Sequence, residues 1–303
     1  MNVPRLATGS SFYKRKLTLF NLCFHVTMPD KSTHGFCYPW TEVDGQRGGN
    51  EIASCLHHFL TTNPLVMRRN KIIFWSDGCV GQNKNRMVVA ALLSAISSRQ
   101  PAINDEVIYA IKYFETGHSM MEADGMHGLI ERAGRGVEMG TPDSYYTLFQ
   151  TAKVSPPRYT VKVMEFSDFK DFRDLSERAI RDSCLTGISK WHMICFRKNH
   201  RNKVAMFVSD NYEADQRSVA WRPVGAQANL SFLRAAYEKP LPVSKAKIRD
   251  CLGLVDKLTN HRSARQFFEG LLEDQERLYP THEQNTPGQE ATNAPDRVQE
   301  DDI

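Results

Sequence analysis

The segment that decides how the rest of the chain is interpreted is Lys71-Ile-Ile-Phe-Trp-Ser-Asp77-Gly-Cys-Val-Gly-Gln-Asn-Lys-Asn85. A run of bulky apolar residues, too short for a helix, ends on an aspartate that is followed by a glycine. This pattern predicts a buried strand over residues 71–77 that carries Asp77 to the carboxyl edge of a sheet, where ligands commonly bind. The alternative is that Asp77 only stabilises the turn at Gly78.

A second acidic cluster follows the next apolar run along the chain, in Glu115-Thr-Gly-His-Ser-Met-Met-Glu122-Ala-Asp124-Gly-Met-His127. Residues 107–114 are predicted to form a strand and residues 119–132 a helix. Hard divalent cations take oxygen ligands that converge from separate elements, and a pair of cations can clamp the oxygens of a phosphodiester. Acids at the ends of two strands therefore predict a divalent-metal site.

The candidate catalytic acids and metal ligands are Asp77, Asp124 and Glu51, with Glu122 as an alternative ligand. Glu51 lies in the first turn of a predicted helix, where it could equally complement the helix dipole. Ser119 and Glu122 have the spacing of a capping box, which favours Glu122 as a helix cap and leaves Asp124 as the better ligand.

Five further residues are candidates for contacts with the substrate or with the ligands: His118, His127, Glu131, Asn83 and Lys84. His127 and Glu131 lie three and seven residues after Asp124, so all three share one helical face. A surface pair formed by His127 and Glu131 and a loop-stabilising role for His118 are the alternatives.

The order of predicted elements indicates an α/β fold. Strands alternate with helices, which implies a mixed sheet with parallel members and helices on its faces. The predicted elements are strands at 12–27, 33–42, 71–77 and 107–114 and helices at 51–60, 86–98 and 119–132. After Pro156-Pro157 the pattern changes to short strands at 159–166, 191–197 and 204–208, with helices at 175–182, 244–258 and 264–277.

These patterns divide the chain into four predicted regions. Residues 1–11 are an N-terminal extension or a truncated first strand, residues 12–155 form the core, and residues 156–280 form a small α+β accessory region. Residues 281–303 form an acidic tail with little to bury, which predicts disorder. The tail carries a charge of −5 within a chain whose total is +4, so the rest carries +9, which suits a polyanionic partner.

The bulk composition bounds the environment in which the protein works. Apolar residues make up 41% and charged residues 24%, which is typical of globular domains, and no apolar run approaches the roughly 20 residues that span a bilayer. The N-terminus lacks the apolar core of a secretory signal, and seven scattered cysteines do not form a disulfide pattern. We therefore expect an intracellular protein without a membrane partner; the sequence does not reveal its oligomeric state.

A different metal site is also compatible with the sequence. Cys23, His25, His34 and Cys37 flank a predicted hairpin and are all residue types that bind zinc. Buried cysteines and hairpin histidines are the simpler account. A zinc site requires all four side chains to converge on one point, whereas the simpler account does not.

Several motifs together resemble a poorly characterised domain that is widespread in transposon-derived proteins of invertebrates. The domain is similar to the ribonuclease-H-like catalytic core of DDE transposases, and the resemblance covers residues 12–272. The motifs are Phe12-Tyr-Lys-Arg-Lys-Leu, Trp40-Thr-Glu42, Arg47-Gly-Gly-Asn-Glu51-Ile-Ala-Ser-Cys, Ser76-Asp77-x-Cys-x-Gly-Gln-Asn-Lys-Asn85, Gly117-His-Ser-x-Met-Glu122-x-Asp124-x-x-His127-x-x-Ile-Glu131 and Tyr237-Glu-Lys-Pro-Leu-Pro-Val-Ser-x-x-Lys247.

The resemblance implies a ribonuclease-H-like mixed sheet and a role in Mg²⁺- or Mn²⁺-dependent cleavage or strand transfer of DNA in the nucleus. It implies Glu51 on the first helix, Asp77 on the fourth strand and Asp124 or Glu122 at the last acidic position. The first strand and its aspartate have no counterpart in this sequence, and Asn21 is a candidate substitute. The expected enzyme is therefore incomplete or inactive, and the alternative is a non-catalytic module that binds nucleic acid or protein.

Overall fold

The structure is a computed structural model of the 303-residue chain. It describes residues 1–6, 13–115, 117, 120–212, 215–221, 229–259 and 261–280. The predicted acidic tail over residues 281–303 lies outside this part of the chain.

The described residues form nine strands and eight α-helices. The strands are β1 (Asn2–Val3), β2 (Leu17–Thr27), β3 (Thr33–Thr41), β4 (Lys71–Ser76), β5 (Glu106–Tyr113), β6 (Thr160–Val161), β7 (Met193–Asn199), β8 (Val204–Ser209) and β9 (Arg217–Val219). The helices are α1 (Gly49–Thr62), α2 (Pro64–Met67), α3 (Arg86–Ser97), α4 (Glu122–Ala133), α5 (Pro142–Thr151), α6 (Phe172–Ala179), α7 (Lys245–Val255) and α8 (His261–Leu278).

The strands form two separate mixed sheets. The first has the order β1-β2-β3-β6, in which β2 pairs antiparallel with both β1 and β3, and β6 pairs parallel with β3. The second has the order β4-β5-β7-β8-β9, in which β4 and β5 are parallel and the other neighbours are antiparallel. The predicted mixed α/β architecture with parallel members is therefore confirmed.

Local sequence explains where α3 begins and why it is buried. The side chain of Asn85 caps α3 by accepting hydrogen bonds from the backbone N–H groups of Met87 and Val88, at 3.1 Å each. From Val88 to Ile96 every residue of α3 is buried. A helix that is apolar on all sides must be enclosed, and α3 shares one apolar core with α1, α6 and both sheets. A second core lies on the other face of β2, beneath α4, α5, α7 and α8.

The region after residue 156 does not form a separate unit. β7 pairs with β5 over seven residue pairs, so β7, β8 and β9 extend the sheet that begins with β4. β6 joins the other sheet, and α6 packs into the shared core with α3. The predicted boundary at residue 156 therefore does not separate two structural units, because local sequence does not encode which distant strands pair.

Two further details differ from the sequence expectations. The strand predicted over residues 159–166 is limited to the two residues of β6. α1 begins at Gly49, two residues before the predicted start at residue 51. No helix among the described residues is long and apolar enough to cross a membrane.

Candidate functional site

A cleft lies between the two sheets. It has a volume of about 290 Å³ and runs between one edge of β2 and one edge of β4. Its lining is apolar over much of its surface, where Leu22 and Phe24 of β2 meet Phe74 of β4 and Ile52 and Leu56 of α1. We call this space the intersheet cleft.

Asp77 lines the intersheet cleft directly after β4, as the sequence predicted. Its Oδ1 accepts hydrogen bonds from the backbone N–H of Cys79, at 3.3 Å, and from the side-chain amide of Asn83. Asp77 therefore stabilises the turn after β4 and also lines the cleft. Oδ2 has no hydrogen-bond partner among the residues that the structure describes and is free to bind a ligand.

Asp124 lines the same cleft from the first turn of α4. Its Oδ2 accepts a hydrogen bond from the backbone N–H of Met121 at 2.8 Å, which satisfies one of the free donors at the start of the helix. This is the role that the sequence assigned to Glu122, so that assignment is wrong. Glu122 is exposed and is not part of the cleft lining. Within the described chain, Oδ1 of Asp124 has no hydrogen-bond partner.

Asn83 and His127 also line the cleft, together with the polar side chains of Asn21, Ser76 and Gln82. Burial lowers the pKa of His127, and the nearby carboxyl group of Asp124 partly opposes this shift. The imidazole is therefore neutral near pH 7 and offers one donor and one acceptor. Four of the candidate residues predicted from sequence (Asp77, Asn83, Asp124 and His127) thus lie in one cleft.

Glu51 lies apart from this group. Its side chain is buried, with 2% of its surface exposed, and its Oε1 accepts hydrogen bonds from the Tyr237 hydroxyl and from the backbone N–H of Gln46, at 3.2 Å for the latter. Glu51 does not line the intersheet cleft, whereas its neighbour Ile52 does. The carboxylate predicted as a third ligand therefore ties α1 to the Tyr237 segment.

Three other candidates have different surroundings. The Lys84 ammonium lies 5.0 Å from the ring centroid of Tyr113, and burial lowers the pKa of Lys84, although Glu115 partly opposes the shift. Glu131 is exposed and is not part of the cleft lining. His118 lies outside the described residues.

The four zinc-capable residues do not converge. Cys23 and Cys37 are directly opposite each other, with their Sγ atoms 3.8 Å apart. His25 pairs with Gly35 and shares the face of the two cysteines, but His34 pairs with Val26 and points to the opposite face. Among the described residues there is no group of three or more histidine, cysteine, aspartate or glutamate side chains placed to hold a metal ion.

Trp75 was not found by sequence reasoning. It lines the cleft with 47% of its surface exposed, and the Lys112 ammonium lies 5.1 Å from its ring centroid. Asn21, the candidate substitute for the first aspartate, also lines the cleft, and its Oδ1 atom is buried without a hydrogen-bond partner in the described structure. The apolar character of β4 was visible in the sequence, but the open edge beside it depends on which strands pair.

Comparison of the chain with protein-family models, with curated proteins and with solved structures returned no match. The functional assignment therefore depends on the geometry of the cleft.

Proposed function

We propose that the chain is a ribonuclease-H-like domain, derived from a DDE-type transposase, that handles DNA phosphodiesters with Mg²⁺ or Mn²⁺ at Asp77 and Asp124, with a cleavage activity that is reduced or absent. The observation that carries the proposal is that Asp77, after β4, and Asp124, at the start of α4, line the same cleft. The order of β2, β3, α1, β4, α3, β5 and α4 agrees with the order that the sequence resemblance implies. Such a substrate implies that the protein works in the nucleus.

The donor chemistry fits a hard cation. Each of the two carboxylates keeps one oxygen without a partner among the described residues, and Mg²⁺ is commonly bound by one or two carboxylates together with water and substrate phosphates. A bound cation would polarise the phosphoryl oxygen and activate the attacking water or 3′-hydroxyl group.

The residues around the carboxylates have supporting roles. The side-chain amide of Asn83 holds Asp77 by donating a hydrogen bond to Oδ1, so Oδ2 is the atom directed to a ligand. The start of α4 fixes Asp124 in the same way through Met121. The neutral imidazole of His127 can donate to, or accept from, a group bound in the cleft.

Nicking of supercoiled plasmid by the purified chain in Mn²⁺ tests this proposal. Asp77→Asn keeps the acceptor for Cys79 and removes the charge, so nicking should fall by at least about a hundredfold. Asp124→Asn should have an effect of the same order, whereas Glu131→Gln should leave the rate unchanged. Measurable nicking by the chain that Asp77→Asn leaves unchanged would contradict the proposal.

A second candidate function is a module that binds nucleic acid without cleaving it. The observation in its favour is that the described residues bring two free carboxylates into the cleft and no third. The exposed Trp75 ring beside the Lys112 ammonium provides a stacking surface and a positive charge, the pair of features that bind single strands. In that case plasmid nicking would be absent, Asp77→Asn would bind single-stranded DNA as well as or better than the unchanged chain, and Trp75→Ala would bind it more weakly.

A further inference from the structure

One face of the second sheet belongs to neither apolar core of the described structure. On the face that packs on α3, Tyr109, Phe196 and Met206 lie in one row and are buried in the core that both sheets share. Side chains alternate between the two faces along each strand, so the residues between these point the other way. The apolar residues of that other face lie in neither core; they include Ile73, Trp75, Ile108, Met193, Ala205 and Phe207. We call this surface the open face.

The strand register arranges basic and aromatic side chains in rows across the open face. In the first row Lys71 and Arg197 pair with the same residue of β5. Phe207 lies in the middle row, and Trp75 pairs with Lys112 in the last row. Successive rows are two residues apart along each strand, or about 6.7 Å. Positive charges and aromatic rings therefore alternate across the face.

Two of the rings have a cation directly beside them. The Lys112 ammonium lies 5.1 Å from the centroid of the Trp75 ring, and the Arg197 guanidinium lies 4.8 Å from the centroid of the Phe207 ring. Attraction between a cation and a ring face holds each charge in this position. Both cations end long side chains, so each can move to a phosphate and leave its ring to a base.

Trp75 belongs to a wider aromatic cluster at one end of the open face. Its ring centroid lies 5.1 Å from that of Phe114 and 5.8 Å from that of Tyr212. Trp75 is 47% exposed and Tyr212 is 43% exposed, although tryptophan and tyrosine are on average well buried. Neighbouring rings that remain exposed indicate a binding surface.

The charge of the open face identifies the class of ligand. Its strand residues include three cations, Lys71, Lys112 and Arg197, and one acid, Glu106 at the start of β5. None of the three cations forms a salt bridge with a described residue. Rings between unneutralised cations complement a chain that carries both flat bases and negative phosphates. An acidic polypeptide lacks the flat groups, and an apolar one would leave the cations without partners.

We propose that the open face binds single-stranded nucleic acid. Bases stack on Trp75 and Phe207, and phosphates contact the three cations. Contacts of this kind tolerate any sequence, because every base has a flat face. Asp77 comes two residues after Trp75 and, like it, lines the intersheet cleft, so a strand on the open face leads to the proposed cation site. The inference rests on the proposed function for the choice of ligand and adds that the bound strand is single and crosses the second sheet.

The test is the fluorescence anisotropy of a fluorescein-labelled strand of about fifteen thymidines, titrated with the full chain in EDTA. We expect saturable binding that Trp75→Leu and Phe207→Leu each weaken by at least about fivefold, because leucine is apolar but cannot stack. Phe232→Leu is the matched control. Phe232 is 53% exposed and its ring centroid lies 5.8 Å from the guanidinium of Arg178 on α6, away from the second sheet, so this variant should bind as the unchanged chain does.

The salt dependence of binding tests the cations separately. Each phosphate contact that is lost should reduce the slope of log affinity against log salt by about 0.7 for a single strand. Lys71→Gln and Lys112→Gln should each produce a reduction of this size. Arg262→Gln removes an exposed charge from α8, which packs on the other core, and should leave the slope unchanged.

Failure of this inference and failure of the proposed function give different results. In EDTA, Asp77→Asn should bind the strand at least as tightly as the unchanged chain does, because the substitution removes a negative charge and no ring. Strand binding by a chain whose Mn²⁺ affinity does not depend on Asp77 would support this inference and contradict the cation site alone. Mn²⁺ affinity that depends on Asp77, without strand binding, would overturn this inference alone.

Three further outcomes would overturn the inference. One is the absence of an anisotropy change up to about 100 μM chain, the weak end of non-specific binding. Another is equal affinity for a duplex of the same length, since paired bases cannot stack on the rings. The third is displacement of the strand by a peptide of residues 281–303, which carries a charge of −5, as effectively as by the unlabelled strand, because that result would assign the face to an acidic polypeptide.

Discussion

β4 and β5 are parallel neighbours in one sheet, and both have apolar sequences, but their surroundings differ. Five of the eight residues of β5 are buried, while none of the six residues of β4 is. β5 has a hydrogen-bonded strand on each side, whereas β4 has one on a single side among the described residues. The comparison teaches that an apolar strand sequence does not by itself establish burial, because burial depends on the elements that pack on the strand and pair with it.

The largest expected effect separates the two strands by stability. Tyr109 on β5 is fully buried and its hydroxyl accepts a hydrogen bond from Arg99, so Tyr109→Ala should lower the free energy of unfolding by about 4 kcal/mol. Ile73 on β4 is 43% exposed, so Ile73→Ala should cost less than about 1 kcal/mol. Equilibrium unfolding in urea measures both. Similar losses for the two variants would remove the contrast between the strands.

A pH titration of stability tests whether His57 is shielded from water in the core, as the structure indicates. Burial, followed by the charges of His58 and Lys170, lowers the pKa of His57 to about 4, and its Nε2 lies 3.2 Å from the Ser94 hydroxyl. In the unfolded chain His57 has its ordinary pKa of about 6.5. As the pH falls, the unfolded chain therefore takes up a proton on His57 before the folded chain does. The stabilisation is present above pH 6.5 and is lost as the pH falls towards 4, at a total cost of about 3 kcal/mol.

His57→Gln isolates this contribution. Between pH 7 and pH 4.5 the variant should lose less stability than the unchanged chain, measured by urea unfolding at each pH. Equal slopes for His57→Gln and the unchanged chain would show that His57 is solvated.

The smallest of these effects sharpens the distinction between Glu51, which lies apart from the cleft, and Asp77, which lines it. Glu51→Ala leaves the Tyr237 hydroxyl and the Gln46 N–H without their acceptor and should cost about 2 kcal/mol. Asp77→Asn keeps the hydrogen bonds of the turn and should change stability by less than about 0.5 kcal/mol. Thermal unfolding compares the two variants, and a larger loss for Asp77→Asn would assign a structural role to Asp77.

The sequence predicted the parts of the fold that depend on local patterns. The apolar run before Asp77 predicts β4, and the long apolar segment at residues 86–98 predicts α3. Asp77, Asn83, Asp124 and His127 were selected from the sequence because they follow or begin such elements, and the structure places all four at one cleft.

The sequence could not predict features that depend on distant partners. Glu51 is engaged by Tyr237, which lies 186 residues further along the chain, so its first-turn position gave no sign of that contact. The pairing of β5 with β7 is equally non-local and turned a predicted accessory region into part of the sheet. The cap of α4 was misassigned because its N-cap is Met121, two residues later than the capping-box pattern indicated.

The central claim is that Asp77 and Asp124 belong to one cation site in the intersheet cleft. Titration of the chain with Mn²⁺, followed by the electron paramagnetic resonance signal of the free ion, tests this claim most directly. Asp77→Asn and Asp124→Asn should each weaken binding by at least about tenfold, and Glu131→Gln should bind as the unchanged chain does. Mn²⁺ affinity that is unaffected by either aspartate substitution would contradict the claim.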